Sequence, residues 1–324
     1  MITKRASHRG GFTMTEILAV IGIIVLLIAI ALPALNSARR RAKVVATSAT
    51  LEVITTALTA YHQDFLDYPT ATTSDTAPTG VPGYAALGFN LVGMGGDATS
   101  PAPQVQNGKT YDIGDCVSVG AVNYLAIQRT VTGPPTAAWM ALSGVSQKDQ
   151  SQAYNYYFDG KLGPGMMVGS KAYGPYLQPE RIRTRGAAFL DSWDRPIGYF
   201  PVHFKGANIR ARSRATGGTA GPAESFGATY CAPSVNARWN LLDGWHLFIW
   251  EGESTTNTAI PYRRISVMLG DKNGDGIINP GETPLEDRPY ILWSGGPDEK
   301  FGVKDPTSTA TIDSQVQGCD DIMR

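Results

Sequence analysis

A run of nineteen uncharged, mostly aliphatic residues near the N-terminus constrains this chain more than any other feature. It covers residues 17–35. At about 1.5 Å per residue it would form a helix of about 28 Å, close to the thickness of the hydrocarbon core of a bilayer. Basic clusters flank the run on both sides, at residues 4–9 and 39–43. The run therefore predicts a membrane-spanning helix, and the basic cluster that precedes it favours a cytoplasmic N-terminus.

A secretory signal peptide and a simple membrane anchor are the two plainest interpretations of this run. A signal peptide has an apolar stretch of about 7–15 residues before a cleavage site of small residues, whereas this run is longer and continues into a helical pattern. Neither interpretation explains Glu16, because a carboxylate that enters hydrocarbon costs a few kcal/mol unless it finds a partner. Glu16 is therefore a candidate functional residue, and its partner can lie on another subunit.

The residues around Glu16 resemble a known processing signal. The sequence GFTMTE, from Gly11 to Glu16, precedes the apolar run and resembles the class III signal of type IV pilins and type II secretion pseudopilins. The resemblance implies that a prepilin peptidase cuts between Gly11 and Phe12 and that Phe12 is then N-methylated. It also implies that Glu16 pairs with the N-terminal amine of Phe12 on a neighbouring subunit, and that Pro33 occupies the position of a helix-kinking proline.

The segment after the apolar run has an amphipathic helical pattern. Large apolar residues recur at spacings of three and four, which predicts one buried face. These residues are Leu51, Ile54, Leu58, Tyr61 and Phe65. Pro69 is expected to end the helix nearby. The segment also resembles the second half of the first helix of the major pseudopilin, and the two halves together predict one helix of about 50 residues, from roughly Phe12 to Leu66.

The rest of the chain is harder to interpret. Residues 70–110 are rich in Thr, Ala, Gly and Pro, a composition that predicts a long irregular connection. The apolar and aromatic residues of the segment 120–160 are compatible both with short helices and with short strands. Residues 191–199 contain the pattern D-x-W-x-x-P-x-x-Y, which resembles the loop before the first strand of the major pseudopilin. Trp193 is expected in the core and Pro196 in a turn.

Strand-like composition predicts four strands, which suggest an antiparallel sheet laid against the long helix. They cover residues 197–204, 245–250, 264–269 and 290–293. The predicted fold class is α+β and pilin-like: a long N-terminal α-helix packed on a C-terminal antiparallel β-sheet, with a large loop-rich insertion. The predicted divisions are a leader peptide (1–11), an apolar helix (12–35), its amphipathic second half (36–69), the insertion (70–172) and a β-sheet domain with a calcium loop (173–324).

Residues 271–282, DKNGDGIINPGE, have the spacing of a twelve-residue calcium loop. Oxygen ligands at positions 1, 3, 5, 7, 9 and 12 suit Ca²⁺, which takes six to eight oxygens, better than Mg²⁺. The candidate ligands are Asp271, Asn273, Asp275, Ile277 through its carbonyl, Asn279 and Glu282. Prolines after the loop disfavour a following helix, so we expect a structural calcium-binding β-loop, with a plain acidic turn as the alternative. The family resemblance makes Asp298 an alternative or second ligand.

Several functional classes find no support in the sequence. The 28 basic and 28 acidic residues give a formal net charge of zero, so a nucleic-acid partner is not expected. The chain contains no P-loop, GxSxG or HExxH motif, and we expect no enzymatic activity. One pair among Cys116, Cys231 and Cys319 can form a disulfide after export, and the sequence does not select the pair.

The resemblance implies a structural subunit of a type IV pilus-like or type II secretion pseudopilus filament. Its implied partners are other copies of itself, the prepilin peptidase, an inner-membrane assembly platform, minor pilins or pseudopilins, and membrane lipid before assembly. The subunit would cross the inner membrane once, with a periplasmic domain, before it enters the filament. The alternative from another class is a membrane-anchored or exported calcium-stabilised adhesin or enzyme that uses the N-terminus only for export.

Overall fold

The computed structural model describes most of the long helix, the regions around the sheets and the C-terminal segment. The described residues are 14–66, 68–69, 82–93, 102–120, 122–127, 129–136, 138–142, 160–163, 166–168, 171–201, 264, 267–268, 290–303, 314–316 and 319–324. Within them the chain has a mixed α+β architecture of one long N-terminal helix and several small antiparallel sheets.

Helix α1 runs without interruption from Met14 to Phe65, a length of 52 residues, and confirms the prediction of one long helix. Pro33 lies inside it. The first half is exposed, and the buried residues recur along one face of the second half, as the apolar spacing predicts. They are Thr47, Leu51, Ile54, Ala57, Leu58 and Tyr61. The helix ends at Phe65, and the next residue, Leu66, adopts a left-handed conformation with φ of 53°, three residues before Pro69.

Helix α2, Gly83–Leu91, corrects the prediction of an irregular connection over residues 70–110. All nine of its residues are buried, as expected for a helix that is apolar on every side. Its single strongly polar side chain, Asn90, is hydrogen-bonded: it donates to the Ala86 carbonyl at 2.7 Å and accepts from the Tyr61 hydroxyl at 3.3 Å. The helix is short and rich in Gly and Ala, so its sequence does not distinguish it from a loop.

In its described residues, the region between α2 and the C-terminal sheet contains three small antiparallel sheets. Strands β1 (Cys116–Val119), β2 (Val122–Ala126) and β3 (Trp139–Ala141) form a sheet in the order β1-β2-β3. This sheet has a separate small core built around Tyr111 and Trp139, whose rings meet edge to face at 5.2 Å between centroids. The predicted loop-rich insertion therefore contains a packed unit, and residues 122–126 and 139–141 are strands.

Two short hairpins connect this unit to the C-terminal sheet. The first consists of β4 (Met166–Val168) and β5 (Lys171–Tyr173), and the second of β6 (Thr184–Arg185) and β7 (Ala188–Phe189). Phe189 is fully buried and belongs to the main core beside α1, so the second hairpin forms part of the wall against which the long helix packs.

The C-terminal sheet consists of β8 (Gly198–Pro201), β9 (Tyr290–Ser294) and β10 (Ile322–Met323), all antiparallel, in the order β10-β9-β8. Tyr199 and Leu292 from this sheet share the main core with Leu58 of α1. The predicted strands at 197–204 and 290–293 are confirmed over their described residues. The predicted strand at 245–250 lies outside the described residues.

The predicted strand at 264–269 is wrong where the structure describes it. Arg264, Val267 and Met268 are helical, and all three are buried. Their spacing of three and four residues places them on one face of a helix. The β-branched composition that predicted a strand is overridden here by this tertiary packing.

The loop over residues 191–196 also differs from its prediction at two positions. Pro196, expected in a turn, instead forms an isolated antiparallel β-bridge with Leu190. Asp191 is buried, and its Oδ1 accepts hydrogen bonds from the backbone N–H groups of Trp193 and Arg195 at 2.8 and 3.0 Å. This turn leaves Trp193 half-buried instead of in the core, with the Lys43 ammonium 5.9 Å from its ring. Among the tryptophans that the structure describes, Trp293 is the fully buried one.

Candidate functional site

The predicted processing and calcium-loop residues lie outside the part of the chain that the structure describes. These are Gly11, Phe12, Asp271, Asn273, Asp275, Ile277, Asn279 and Glu282. Two predicted assembly residues are described: Glu16 lies in the first turn of α1, and Pro33 lies near the end of its apolar half. The described part of the chain thus contains two candidate functional features: the apolar half of α1 and the surroundings of Asp298.

The apolar half of α1 is long and apolar enough to cross a membrane, and none of its most apolar window is buried. Large side chains such as Leu18, Ile30 and Leu32 expose more than half of their surface. A contiguous apolar surface of this extent is rare on soluble monomers and marks contact with a membrane or with other proteins. The helix therefore carries one half suited to an apolar environment and one half packed on the domain.

Three carboxylates meet at one end of the C-terminal sheet, beside α1. Ligand oxygens of Asp298, Asp320 and Asp321 all lie within 4.8 Å of one another. We call these three residues the acidic cluster. The antiparallel pairing of Ile322 with Ser294 explains their proximity, because the chain leaving β9 and the chain entering β10 then lie side by side.

Gly296 allows the two segments to approach closely. It lies between β9 and Asp298 with φ of +63°, and a Cβ at this position would stand 2.0 Å from the Asp320 carbonyl oxygen. No side chain fits at that distance, and the left-handed conformation also favours glycine. The position of Asp298 beside Asp320 therefore depends on a glycine at this position.

Asp321 is the most deeply placed carboxylate of the acidic cluster. Its Oδ2 accepts hydrogen bonds from the Trp293 indole at 2.8 Å and from the Gly302 N–H at 2.7 Å. Its Oδ1 is buried and has no hydrogen-bond partner. Burial raises the pKa of this carboxyl to about 7, against the two donated hydrogen bonds, and the charge of Asp298 raises it further.

The other two carboxylates have partners of their own. Asp298 accepts a hydrogen bond from the Lys300 N–H at 2.9 Å. Burial raises its pKa, and so does the charge of Asp320. Asp320 accepts from the guanidinium of Arg40 at 2.9 Å, an ion pair that joins the acidic cluster to α1. Repulsion among the three negative charges is thus only partly balanced by one arginine.

This arrangement is suited to a hard cation. Its donors are all carboxylate oxygens, which suit Ca²⁺ or Mg²⁺, and no sulfur or imidazole ligand that zinc would favour is part of the cluster. A cation would also compensate the buried Oδ1 of Asp321. The sequence pointed to Asp298 but missed Asp320 and Asp321, because a gap of more than twenty residues has no motif spacing; two adjacent aspartates before a strand were the only local signal.

The cysteines do not form a reactive pair among the described residues. Cys116 is buried and Cys319 is half-buried, and no disulfide joins them. Burial raises the pKa of the Cys319 thiol to about 12, so its thiolate, the reactive form, is scarce at neutral pH. Cys231 lies outside the described residues. No family model, curated protein or solved structure matches this chain.

Proposed function

We propose that this protein is a structural subunit of a helical filament, of the class formed by type IV pilins and type II secretion pseudopilins. The observation that supports it best is the division of α1. Its first half is apolar and exposed, while its second half is packed on the domain through Leu51, Ile54 and Leu58. A subunit of this form can rest in a membrane and later bury the same apolar half among copies of itself.

Head-to-tail contacts between identical subunits extend a filament when the rotation between neighbours does not close a ring. In the proposed filament the apolar halves of α1 form the core, and the domains form the surface. Glu16 lies in the first turn of the helix, where insertion in hydrocarbon requires a partner. The N-terminal amine of Phe12 on a neighbouring subunit, exposed by cleavage after Gly11 and then methylated, would supply the opposite charge.

Calcium is the proposed stabilising ion. Asp298, Asp320 and Asp321 would hold it, either alone or as a second site beside the loop at residues 271–282. A bound Ca²⁺ would supply two positive charges to a cluster whose carboxylates otherwise repel one another. Because the cluster joins β9 to β10 and lies beside α1 through Arg40, an ion there would hold together elements that are distant in sequence.

The remaining parts of the proposal follow from membrane insertion before assembly. The subunit would cross the inner membrane once with its domain in the periplasm, and would have no enzymatic activity of its own. Its partners would be other copies of the chain, the prepilin peptidase, an assembly platform with minor pilins or pseudopilins, and lipid. A secretion pseudopilus and a surface pilus remain two forms of the same proposal, which imaging of fibres on cells distinguishes.

N-terminal sequencing combined with intact mass, on protein isolated from its native membrane, tests the proposal directly. We expect a chain that begins with methylated Phe12. Gly11→Ala is the matched variant and should retain the leader. A native chain that keeps Met1, or that is cut beyond Leu35, would refute the proposal and favour an anchored or exported calcium-stabilised adhesin or enzyme.

A further inference from the structure

We propose that Arg39 and Arg41 bind the phosphate groups of anionic phospholipids at the membrane surface, whereas Arg40, between them, binds the chain's own domain. This inference rests on the membrane-inserted subunit of the proposed function. It assigns different roles to three consecutive arginines that the sequence alone does not distinguish.

Arg39 and Arg41 lie on α1 just beyond the apolar run. Leu35 ends the apolar run, and Arg39 and Arg41 follow it by four and six residues. On a continuous helix these steps correspond to about 6 and 9 Å. The headgroup layer extends about 5–8 Å beyond each side of the hydrocarbon core, and arginine side chains near helix ends extend toward that layer. With residues 17–35 in hydrocarbon, both guanidinium groups can reach the lipid phosphates.

The side chains of the three consecutive arginines leave α1 in different directions. Successive residues of an α-helix are rotated by about 100°. Arg40 faces the domain, because its Nη2 donates to Asp320 Oδ2 at 2.9 Å. Arg39 and Arg41 therefore diverge to either side of the line that joins the helix to the domain. Both are exposed, and neither forms an ion pair with any residue in the described ranges.

The acidic cluster lies on the side of α1 that Arg40 faces, which is not the side that Arg39 or Arg41 faces. No acidic residue occurs on α1 between Glu16 and Glu52. On the domain side, Asp320 is engaged by Arg40, and Glu299 is engaged by Arg195 at 2.9 Å. The positive charge of Arg39 and Arg41 thus remains available to external anions among the groups that the structure describes.

The chemistry of the side chain selects the phosphate group as the ligand. The guanidinium is planar, always charged and able to donate two parallel hydrogen bonds to a phosphate. Basic residues beside a membrane span are attracted to the negative surface potential of anionic lipids, and this attraction falls as salt rises. Phosphatidylglycerol, whose net charge is negative, should therefore be preferred over the zwitterionic phosphatidylcholine.

The test uses the full chain reconstituted in vesicles of phosphatidylcholine and phosphatidylglycerol, at about four to one. Electron paramagnetic resonance of spin-labelled lipids measures how strongly each lipid is enriched at the protein. We expect phosphatidylglycerol to be enriched about threefold or more at low salt. Arg39→Gln with Arg41→Gln should clearly lower the enrichment, to the level that Lys43 and the basic residues 4–9 maintain, and each single substitution should lower it in part.

Arg40→Gln is the matched control, since it removes the same charge from the same turn of the helix. It should keep most of the enrichment and lower the melting temperature of the domain instead. Flotation with the vesicles establishes insertion of each variant before the lipids are compared. Enrichment that the double substitution leaves unchanged, or that Arg40→Gln lowers equally, would overturn the proposal.

A third outcome assigns the two arginines to protein contacts. If the vesicles show no lipid preference while the double variant forms fewer filaments, Arg39 and Arg41 bind acidic groups of neighbouring subunits and the lipid proposal is wrong. The experiment is also separable from the proposed function, because it needs neither leader cleavage nor assembly. A lipid preference in a chain that is never cleaved would leave this inference intact and refute the filament.

Discussion

Asp321 is the residue on which the stability of the acidic cluster depends most strongly. Its Oδ2 is fixed by two donors while its buried Oδ1 has none, so its ionised form is costly in the absence of a cation. A buried polar atom without a partner costs about 1–3 kcal/mol, and more when the group is charged. A cation bound to this carboxylate would remove that cost, so the free energy of metal binding should be more favourable at this site.

The raised pKa of Asp321 predicts how the metal-free protein responds to pH. Its carboxyl has a pKa of about 7 in the folded protein and about 3.9 in an unfolded chain. The folded state then binds the proton more tightly, so the free energy of unfolding should decrease as pH rises from about 4 to about 7 and stay level above that range. Urea unfolding at a series of pH values, with EDTA present, measures this slope.

Asp321→Asn should remove much of that decrease, since the amide does not ionise. Burial also raises the pKa of Asp298 and Asp191, so part of the slope should remain. Asp194→Asn is the control, because that carboxylate is exposed and paired with Arg183, and it should keep the full slope. An unchanged slope in Asp321→Asn would contradict the assignment.

Gly296 gives a second prediction at the residue scale, with Gly120 as a closely matched control. The two glycines have φ of +63° and +62°, but a Cβ at Gly120 meets nothing within 4 Å, whereas one at Gly296 meets the Asp320 carbonyl at 2.0 Å. Both alanine variants suffer left-handed strain of about 1–2 kcal/mol. Gly296→Ala should cost at least about 1 kcal/mol more because its surroundings must shift.

Calcium provides the second measurement for this pair. Thermal unfolding with calcium and with EDTA should show that Gly120→Ala keeps the stabilisation by calcium and Gly296→Ala loses most of it, since only the latter displaces Asp298 from Asp320. Equal responses of the two variants to calcium would place the ion elsewhere, such as the loop at residues 271–282.

Among the elements, α1 holds the domain together as well as carrying the apolar segment. Its buried face meets β8, β9 and the β6–β7 hairpin in one core. Polar contacts accompany this packing: the Thr47 hydroxyl accepts from the Ser192 N–H at 3.1 Å, and the Tyr176 hydroxyl donates to Asp64 at 2.5 Å. The second half of α1 is therefore an integral part of the domain, and shortening it should unfold the domain.

Leu58 and Val53 test this role of the helix. Leu58 is fully buried, while Val53 exposes 41% of its surface. Leu58→Ala should lower the free energy of unfolding by about 2–5 kcal/mol, and Val53→Ala by about 0.5 kcal/mol or less. Chemical unfolding of the full chain in detergent, followed by near-ultraviolet circular dichroism, measures both. Similar losses in the two variants would show that this face of α1 is not core.

For the whole molecule, Glu16 links membrane insertion to assembly. Glu16→Ala should be inserted and cleaved normally but should yield far fewer filaments, because the pairing with the neighbouring amine is lost. Glu16→Gln keeps the size and polarity without the charge and should fail in the same way. Sheared filaments counted by immunoblotting and electron microscopy provide the measurement, and normal yields from both variants would exclude a role for this charge in assembly.

The sequence predicted α1 well because its signals are local. A long apolar run and a spacing of three and four residues specify a helix and its buried face without knowledge of the rest of the chain. Strand β9 was predicted for a similar reason, since its first four residues are continuously apolar; all five of its residues are buried. The coarse α+β class followed from these two elements.

The features that the sequence missed depend on contacts between distant segments. Helix α2 has no polar face and no strong cap, so only its burial against α1 and the sheets identifies it. Arg264, Val267 and Met268 belong to a segment with the composition of a strand, but these three residues are helical and buried. Asp298 and Asp321 meet only because β10 returns beside β9, and no spacing along the chain encodes that return.

The continuity of α1 fixes the rotation of the domain about the helix axis. No break separates the apolar half of α1 from the half packed on the domain. The direction in which the domain points around the helix axis is therefore set by the rotation of the apolar half. Inserting one alanine after Ser37 would turn the domain by about 100° and raise it by about 1.5 Å, while an insertion of eleven residues would return it to within about 20° of its original direction. An assembly built on the apolar halves would therefore tolerate an insertion that returns the domain to its original direction, and would be disrupted by a shorter insertion that rotates the domain away from it.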